Sequence, residues 1–214
     1  MRSLIVLETP GLYGLKPQFQ RLLRPLVGWL AAAGVRANQV TVFACTISVA
    51  LGVVLLTSHN PHLFILLPAV LLIRMALNAA DGMLAREFNQ QSKLGVYLNE
   101  LTDVISDTFL YLPFAHLSGF SPFWVWNVVV LAVLSEMAGT VAVMAGASRR
   151  YDGPLGKCDR ALLFGAMGLW AGLAGGLPLL AASLLPKIAV VLLVVTVVNR
   201  VRKGLNEEHE YAAM

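Results

Sequence analysis

The sequence predicts an all-α, polytopic membrane protein with six transmembrane helices, an N-terminal amphipathic juxtamembrane helix and both termini in the cytoplasm. Of its 214 residues, 57% are hydrophobic and only 13% are charged, whereas a soluble domain carries about 25% charged residues. The apolar runs are about as long as a membrane-crossing helix requires. Because the basic residues lie between these runs, the net charge of +4 does not indicate a nucleic-acid partner; the expected surrounding is a lipid bilayer.

Six apolar runs are candidates for the membrane-spanning helices. They are continuous and do not alternate, which favours helices, because a helix satisfies its own backbone groups in lipid. The runs cover residues 39–58, 62–84, 96–117, 122–146, 160–177 and 183–200. We therefore divide the chain into a cytoplasmic N-terminal segment with the amphipathic helix (1–38), a six-helix transmembrane domain (39–203) and a cytoplasmic tail (204–214).

The distribution of Lys and Arg predicts the orientation. Under the positive-inside rule, loops rich in these residues face the cytoplasm. All the basic residues except Arg74 and Lys187 lie in or beside the two termini and every second connection between the predicted spans. The other basic residues are Arg2, Lys16, Arg21, Arg24, Arg36, Arg86, Lys93, Arg149, Arg150, Lys157, Arg160, Arg200, Arg202 and Lys203. Both termini and the 86–95 loop are therefore expected in the cytoplasm.

The segment LKPQFQRLLRPLVGWLAAAGV (15–35) mixes basic and apolar residues at roughly helical spacing. Such a pattern is typical of a helix that lies in the membrane interface. We expect Arg21 and Arg24 to face lipid phosphates on the cytoplasmic leaflet. The alternative is an ordinary juxtamembrane anchor, and the pattern does not distinguish the two.

One polar stretch interrupts the apolar chain, NAADGMLAREFNQQSKLGVYLNELTDVISD (78–107). Asn78 and Asp81 share a helix face by their spacing, and so do Gly95, Asn99 and Asp103. The short connection makes the two predicted helices antiparallel neighbours. We expect their polar faces to converge in a water-filled cavity that opens to the cytoplasm.

The residue types in this stretch indicate a diphosphate site. A charge inside a membrane helix costs at least about 2.5 kcal/mol, and a divalent cation between Asp81 and Asp103 would offset both that cost and their repulsion. Oxygen ligands favour Mg²⁺, Mn²⁺ or Ca²⁺. Arg86 adds a partner for phosphate, and Gly82 and Gly95 allow a ligand close to the backbone. Together these residues point to phosphoryl-type transfer.

The spacing of the motif resembles a known signature. Asp81-Gly82-x-x-Ala85-Arg86, followed by eight residues, Gly95, three residues, Asn99, three residues and Asp103, is similar to the signature of the CDP-alcohol phosphatidyltransferase family. The six-helix layout and the Asn38…Thr41 entry to the first span also look like that family. The resemblance covers nearly the whole chain and is nearest to a bacterial branch of inner-membrane proteins.

The resemblance implies an activity and a set of roles. The enzyme would transfer a phosphatidyl-type group from a CDP-linked lipid, with CDP-diacylglycerol expected, to an alcohol acceptor, release CMP and serve phospholipid biosynthesis. It would use one or two Mg²⁺ or Mn²⁺ ions, act as a homodimer and face the cytoplasm. Asp103 would be the general base. The implied metal ligands are Asp81, Asp103, Asn78, Asn99 and also Asp107, and the implied CDP contacts are Gly82, Ala85, Arg86, Gly95 and Thr41.

The chain departs from the family pattern at two positions. The family usually has four aspartates, and Asn78 and Asn99 stand at the first and third of these positions. An amide offers an oxygen but no charge, so we expect one metal ion, or a second ion held loosely; Glu100 and Asp107 would restore part of the charge. A non-catalytic CDP-lipid-binding protein and a CDP-lipid hydrolase remain alternatives. A small transporter is disfavoured, because the acids cluster at one membrane face.

Three further expectations concern basic residues. Arg74 lies one turn deeper than Asn78, and we predict a buried pair with Asp107; the alternative partner is Glu136. Lys157 and Arg160 open the fifth predicted span, and we interpret them as contacts of an acceptor phosphate or lipid headgroup; the alternative is that they too are topology determinants. The neighbouring pair Arg149 and Arg150 are interpreted as topology determinants.

Overall fold

The computed structural model describes residues 16–58 and 60–212, with side chains over 17–58 and 60–207. Within these ranges the chain forms seven α-helices, two short 3₁₀ segments and no strand. The 3₁₀ segments are Pro61–Leu66 and Leu112–His116. The helices are α1 (Lys16–Ala32), α2 (Ala37–Thr57), α3 (Leu67–Glu87), α4 (Lys93–Tyr111), α5 (Pro122–Met144), α6 (Lys157–Ala174) and α7 (Leu179–Ala212). The first 15 residues of the predicted cytoplasmic segment lie outside the described residues.

Four helical stretches are long and apolar enough to cross a membrane, among the residues described. They are Ala37–Thr57, Pro61–Glu87, Pro122–Met144 and Leu179–Glu207. The all-α membrane class is therefore confirmed, whereas the six-span layout stays a prediction. The helices α4 and α6 are long enough but do not reach this standard, because they carry the charges of the polar stretch and of Lys157 to Arg160.

The predicted sixth span differs most from the observed helix. We expected it to begin near residue 183, but α7 begins at Leu179 and contains Pro186. Helix-breaking residues are tolerated in membrane helices when neighbouring groups satisfy the freed backbone. The helix also continues to Ala212, through most of the stretch predicted as a tail.

The predicted amphipathic segment forms the helix α1, which packs against α3. Val27 is fully buried in this contact, whereas Leu22 and Trp29 on other positions of the helix are 76% and 66% exposed. Arg24 reaches Glu87 at the end of α3, with 3.0 Å between Nη2 and Oε1. The helix thus packs one apolar side against the rest of the protein, whereas another apolar side stays exposed in the described part of the chain. Its position on the cytoplasmic leaflet stays a prediction.

The larger apolar cluster of the described residues joins the end of α4 to α6 and α3. Tyr111 at the end of α4 stacks on Phe164 of α6, with 3.9 Å between the ring centroids, and Phe114 contacts Phe164 edge-on. A glycine explains the close packing of α6: a Cβ on Gly168 would lie 2.9 Å from a methyl carbon of Leu67. This packing fixes α6 against α3.

Charged pairs tie the connection between α5 and α6 to the end of α7. Arg150 Nη1 lies 2.5 Å from Glu207 Oε2, and Lys203 Nζ lies 2.9 Å from Asp152 Oδ1. Burial by itself would raise the pKa of the Asp152 carboxyl, but hydrogen bonds and ion pairs with Lys203 and Arg150 outweigh it and hold that pKa below its ordinary value. The connection leads directly into Lys157, so these pairs help to position the first turn of α6.

Candidate active site

The two polar helix faces converge as the sequence predicts. Ser92 caps α4 by accepting a hydrogen bond from the backbone N–H of Gly95, at 2.9 Å. The cap starts α4 right after the short turn that follows α3, so the two helices run antiparallel. Asn78 Nδ2 then donates to Asp103 Oδ1 across the interface, at 2.8 Å. The first and last positions of the signature are therefore in direct contact.

Asp103 is surrounded by donors. Besides Asn78 on Oδ1, Lys157 Nζ lies 2.5 Å from Oδ2. Arg74 Nη2 donates to the backbone oxygen of Asp103 at 2.9 Å and reaches Oδ1 at 3.4 Å. A carboxylate offers about four lone-pair positions, so these donors leave an acceptor position on Oδ2 and keep the group in a fixed orientation.

Asp81 is held by a residue of α2. The hydroxyl of Thr41 donates to Asp81 Oδ2 at 2.7 Å, and both residues are only 5% exposed. The structure places Thr41, which the resemblance assigns to CDP, on the carboxylate. In this arrangement Thr41 orients Asp81, and its link to a nucleotide would be indirect.

Asp107 lies between two arginines. The predicted Arg74–Asp107 pair is confirmed, and the partner of Arg74 is not Glu136. Arg160 Nη2 binds the other carboxylate oxygen of Asp107 at 2.9 Å. Both oxygens are thus engaged by guanidinium groups, which favours a bracing role for Asp107 over the predicted role of metal ligand.

Arg160 is fully buried, which the prediction of an acceptor or headgroup site did not anticipate. Besides Asp107 it binds Glu136 Oε1 at 2.8 Å and the hydroxyl of Ser135 at 3.2 Å. A guanidinium committed to two carboxylates inside the bundle favours a bracing role. Of the two residues assigned to the acceptor, only Lys157 is partly exposed.

Arg149 lies in the connection before α6 and contacts acids of both α4 and α5. It pairs with Glu100 of α4 and lies 3.7 Å from Glu136 Oε2. Among the side chains described, its buried Nε has no hydrogen-bond partner. Arg149, which we interpreted as a topology determinant, is therefore part of the charged cluster. Its ion pair with Glu100 already neutralises the charge of that acid.

The glycine and arginine positions of the signature lie at the exposed end of α3 and α4. The exposed Arg86 covers Gly82, because a Cβ there would lie 3.2 Å from Arg86 Nη2. A Cβ on Gly95 would lie 2.9 Å from Asn38 Oδ1. Ala85 is half-buried beside the apolar contact of α1, α2 and α3.

A cavity of about 440 Å³ opens beside Asn38 and Ser92, the two side chains closest to Gly95. Such a volume is within the usual range of ligand pockets. The cavity lies between the start of α2 and the turn before α4, and its lining residues include Arg36, Ala37, Asn38, Gln90, Gln91 and Ser92. Gln90 fixes this wall by accepting from the backbone N–H of Ala37 at 2.7 Å.

The oxygen ligands near Asp103 fit a hard divalent cation. Among the residues described, no three His, Cys, Asp or Glu side chains form a ligand group. Mg²⁺, however, is usually bound through one or two carboxylates together with substrate phosphates. Asp81 and Asp103, which interact electrostatically, are two carboxylates of this kind, and the amide of Asn78 contacts Asp103.

Sequence reasoning missed several members of the cluster. Arg200 of α7 is 1% exposed and lies 3.5 Å from Glu136 Oε1. Ser135 beside Glu136 accepts from Arg160. The available signal was Glu136 itself, since an acid inside a strongly apolar run requires a partner. Nothing in the sequence identified which of the basic residues would provide it.

Comparison with known proteins agrees with this geometry. Residues 35–200 match the family model of CDP-alcohol phosphatidyltransferases. The inner membrane protein YnbA of Escherichia coli (strain K12) is 47% identical over 194 residues, which cover 91% of this chain and 96% of that protein. An uncharacterized protein of Aquifex aeolicus (strain VF5) is 36% identical over 103 residues, which cover 48% and 49% of the two chains.

Solved structures share the fold. The phosphatidylinositol phosphate synthase PgsA1 of Mycobacterium tuberculosis, in complex with manganese and citrate, superposes with a TM-score of 0.69 at 20% identity and covers 85% of this chain and 88% of its own. The same enzyme with CDP-DAG bound gives a TM-score of 0.68 at 21% identity, over 86% and 94% of the two chains. At this identity the similarity concerns the fold.

Proposed function

The chain belongs to the CDP-alcohol phosphatidyltransferase family, and on that basis we propose that it transfers a phosphatidyl group from a CDP-linked lipid to an alcohol acceptor and releases CMP. CDP-diacylglycerol is the proposed donor and phospholipid biosynthesis the proposed role. The observation that carries this proposal is the contact between Asn78 and Asp103 at 2.8 Å. It brings the two ends of the signature, which lie on different helices, into one site.

In the proposed reaction Asp103 is the general base. The free position on Oδ2 accepts the proton of the acceptor hydroxyl, whose oxygen then forms a bond to the phosphorus attached to the lipid. The bond from that phosphorus to the bridging oxygen breaks, and the electron pair leaves with CMP. Asn78 and Arg74 keep Oδ1 occupied, so proton transfer is directed to Oδ2.

Asp81, Asp103, Asn78 and Asn99 are the proposed ligands of Mg²⁺ or Mn²⁺. When bound, the ion would neutralise charge on the diphosphate and orient it. Thr41 contributes by holding Asp81 in place. The manganese in the complex of PgsA1 supports a divalent ion in this fold.

The donor is proposed to bind with its nucleotide at the exposed end of the site. The cavity beside Gly95 and Asn38 has a suitable size, and Arg86 next to Gly82 provides a cation for phosphate. Gly82, Ala85, Arg86 and Gly95 remain the proposed CDP contacts. The CDP-DAG bound to PgsA1 supports a lipid of this class as the donor.

The protein is an integral membrane protein by its four long apolar helices and its relative in the E. coli inner membrane. We further propose that it lies in the bacterial inner membrane as a homodimer, with six spans and the site facing the cytoplasm. Lys157 is proposed to meet an anionic group of the acceptor; Arg160 acts behind it through Asp107.

CMP release tests the proposal. Purified protein is incubated with CDP-diacylglycerol, Mn²⁺ or Mg²⁺ and an acceptor panel of glycerol phosphate, inositol phosphate, serine and simple polyols. The unmodified protein should release CMP with at least one acceptor, and Asp103→Asn should abolish that release. Glu87→Gln is the matched control, because it neutralises an acid at the same end of the bundle but outside the site.

The same assay separates the alternatives. Release of CMP that does not depend on any acceptor identifies a hydrolase. Retained binding of CDP-diacylglycerol without CMP release identifies a non-catalytic CDP-lipid-binding protein. The asparagines at 78 and 99 are the observation that keeps the second alternative in the test.

A further inference from the structure

The cationic groups next to Asp103 are side chains of the protein itself. Lys157 Nζ lies 2.5 Å from Asp103 Oδ2, and the two side chains are 25% and 14% exposed. Lys157 is the first residue of α6, and the rigid cluster around Arg160 begins one turn later. The first turn of α6 therefore places the ammonium group beside Asp103.

Asn78 adds a neutral contact on the other oxygen. Its amide donates to Asp103 Oδ1 at 2.8 Å. An aspartate at position 78 would bring two carboxylates together at that distance, and two such groups cannot both stay ionised without a cation or a shared proton. The amide removes this requirement, so the contact is stable without an ion between the two side chains.

The charges of the cluster balance without a metal ion. We define the site network as the ion pairs connected to Asp103, together with Asp81, which interacts electrostatically with Lys157. Its acids are Asp81, Glu100, Asp103, Asp107 and Glu136, and its bases are Arg74, Arg149, Lys157, Arg160 and Arg200. Acids and bases are equal in number, so the network is formally neutral.

We propose that this site takes a single divalent cation, with Lys157 as the permanent cation on Asp103 in the place of a second ion. One divalent ion together with a diphosphate diester, which carries one negative charge on each phosphate, leaves the site network neutral. A second ion would leave two uncompensated positive charges among partly buried groups, which is costly. The diphosphate part of this inference rests on the proposed function, whereas the ion count does not.

Counting bound Mn²⁺ tests the inference. Mn²⁺ is titrated into the purified full-length protein in detergent, without substrate, and the free ion is measured by electron paramagnetic resonance. We expect one ion per chain. Asn78→Asp should add a second ion, and Lys157→Met should bind Mn²⁺ about tenfold more tightly or gain a second ion, because it removes a positive charge close to the ligands.

Matched variants exclude a general effect of charge. Asn127→Asp adds an acid on α5, where Asn127 donates to the backbone oxygen of Phe123 in its own helix, and Lys93→Met removes an exposed lysine. Both should bind one ion with the affinity of the unmodified protein. If Lys157→Met does not fold, Lys157→Gln tests the same loss of charge with a polar side chain.

The outcomes are distinguishable from those of the proposed function. Two ions of similar affinity in the unmodified protein, no bound ion at all, or unchanged binding in both Asn78→Asp and Lys157→Met would each overturn the inference. One bound ion without CMP release from any acceptor would support the inference and reject the transferase. Two bound ions with CMP release would overturn the inference and support the transferase.

Discussion

Arg74 of α3 and Asp107 of α4 form a buried ion pair whose side chains are 3% and 7% exposed. The same guanidinium donates to the backbone oxygen of Asp103, at 2.9 Å. One residue therefore joins the two helices and fixes the turn of α4 that carries the proposed base. Stability and geometry of the site depend on the same contact.

Arg74→Met is expected to lower the free energy of unfolding by about 3 kcal/mol. Removing one partner of a buried pair costs about 3–5 kcal/mol, and Arg160 still compensates part of the charge of Asp107. Denaturant titration in detergent micelles measures the change. Arg24→Met is the control, since its pair with Glu87 is largely exposed and should contribute at most about 1 kcal/mol. Equal stability of the two variants would contradict this assignment.

Thr41→Val tests the hydroxyl that holds Asp81. The variant keeps the shape of the side chain but removes the hydrogen bond of 2.7 Å. Loss of a residue that orients a metal ligand typically costs about 10- to 100-fold in metal affinity, and we expect Mn²⁺ binding to weaken by that factor. Thr46→Val is the control, because Thr46 lies exposed on the same helix and donates to the backbone oxygen of Val42. Unchanged Mn²⁺ affinity in Thr41→Val would show that Asp81 needs no support.

Gly95→Ala tests the wall shared by α4 and the cavity. The new methyl would lie 2.9 Å from Asn38 Oδ1 and 3.0 Å from Ser92 Oγ. Because both are ends of polar side chains, they can move aside, so we expect little loss of stability but a higher KM for CDP-diacylglycerol. Gly28→Ala is the control, with nothing within 4 Å of the new methyl, and should gain about 0.5–1 kcal/mol of stability. An unchanged KM in Gly95→Ala would place the nucleotide elsewhere.

Asp152 makes part of the stability dependent on pH. Burial by itself raises its pKa, but hydrogen bonds and ion pairs with Lys203 and Arg150 together outweigh this effect, so the pKa is lower in the folded protein than its ordinary value of about 3.9. A lowered pKa contributes stability that is present above the ordinary value and is lost as the pH falls through the folded pKa. The difference in melting temperature between the unmodified protein and Asp152→Asn should therefore be present at pH 7 and shrink below about pH 4.

Melting curves between pH 7 and pH 3 check this expectation. Lys203→Met removes the partner of Asp152 at 2.9 Å. Its melting temperature, like that of Asp152→Asn, should depend less on pH than the melting temperature of the unmodified protein. A difference between the unmodified protein and Asp152→Asn that stays constant to pH 3 would mean that the carboxylate makes no net contribution.

The sequence predicted the parts that depend on local periodicity. The spacing of Asn78 and Asp103 within their helices, and the depth of Arg74 relative to Asp107, follow from one helical repeat each, and the contacts agree. The burial of Arg160 was not predictable in this way. It depends on which faces of α4 and α5 turn toward α6, and those contacts join residues far apart in the chain. The role of Lys157 was open for the same reason.

The neutral site network has a consequence for how the protein enters the membrane. Its charges are distributed over α3, α4, α5, α6, α7 and the connection between α5 and α6, and each unpaired charge at the centre of a bilayer costs about 2.5–3.5 kcal/mol. Without Arg160 of α6, Glu136 and Asp107 would each lose an ion-pair partner. We therefore expect the charged helices of this chain to be stable in the bilayer only after they have assembled with one another. A nascent chain that ends before α6 would expose its acids to the membrane quality control of the cell.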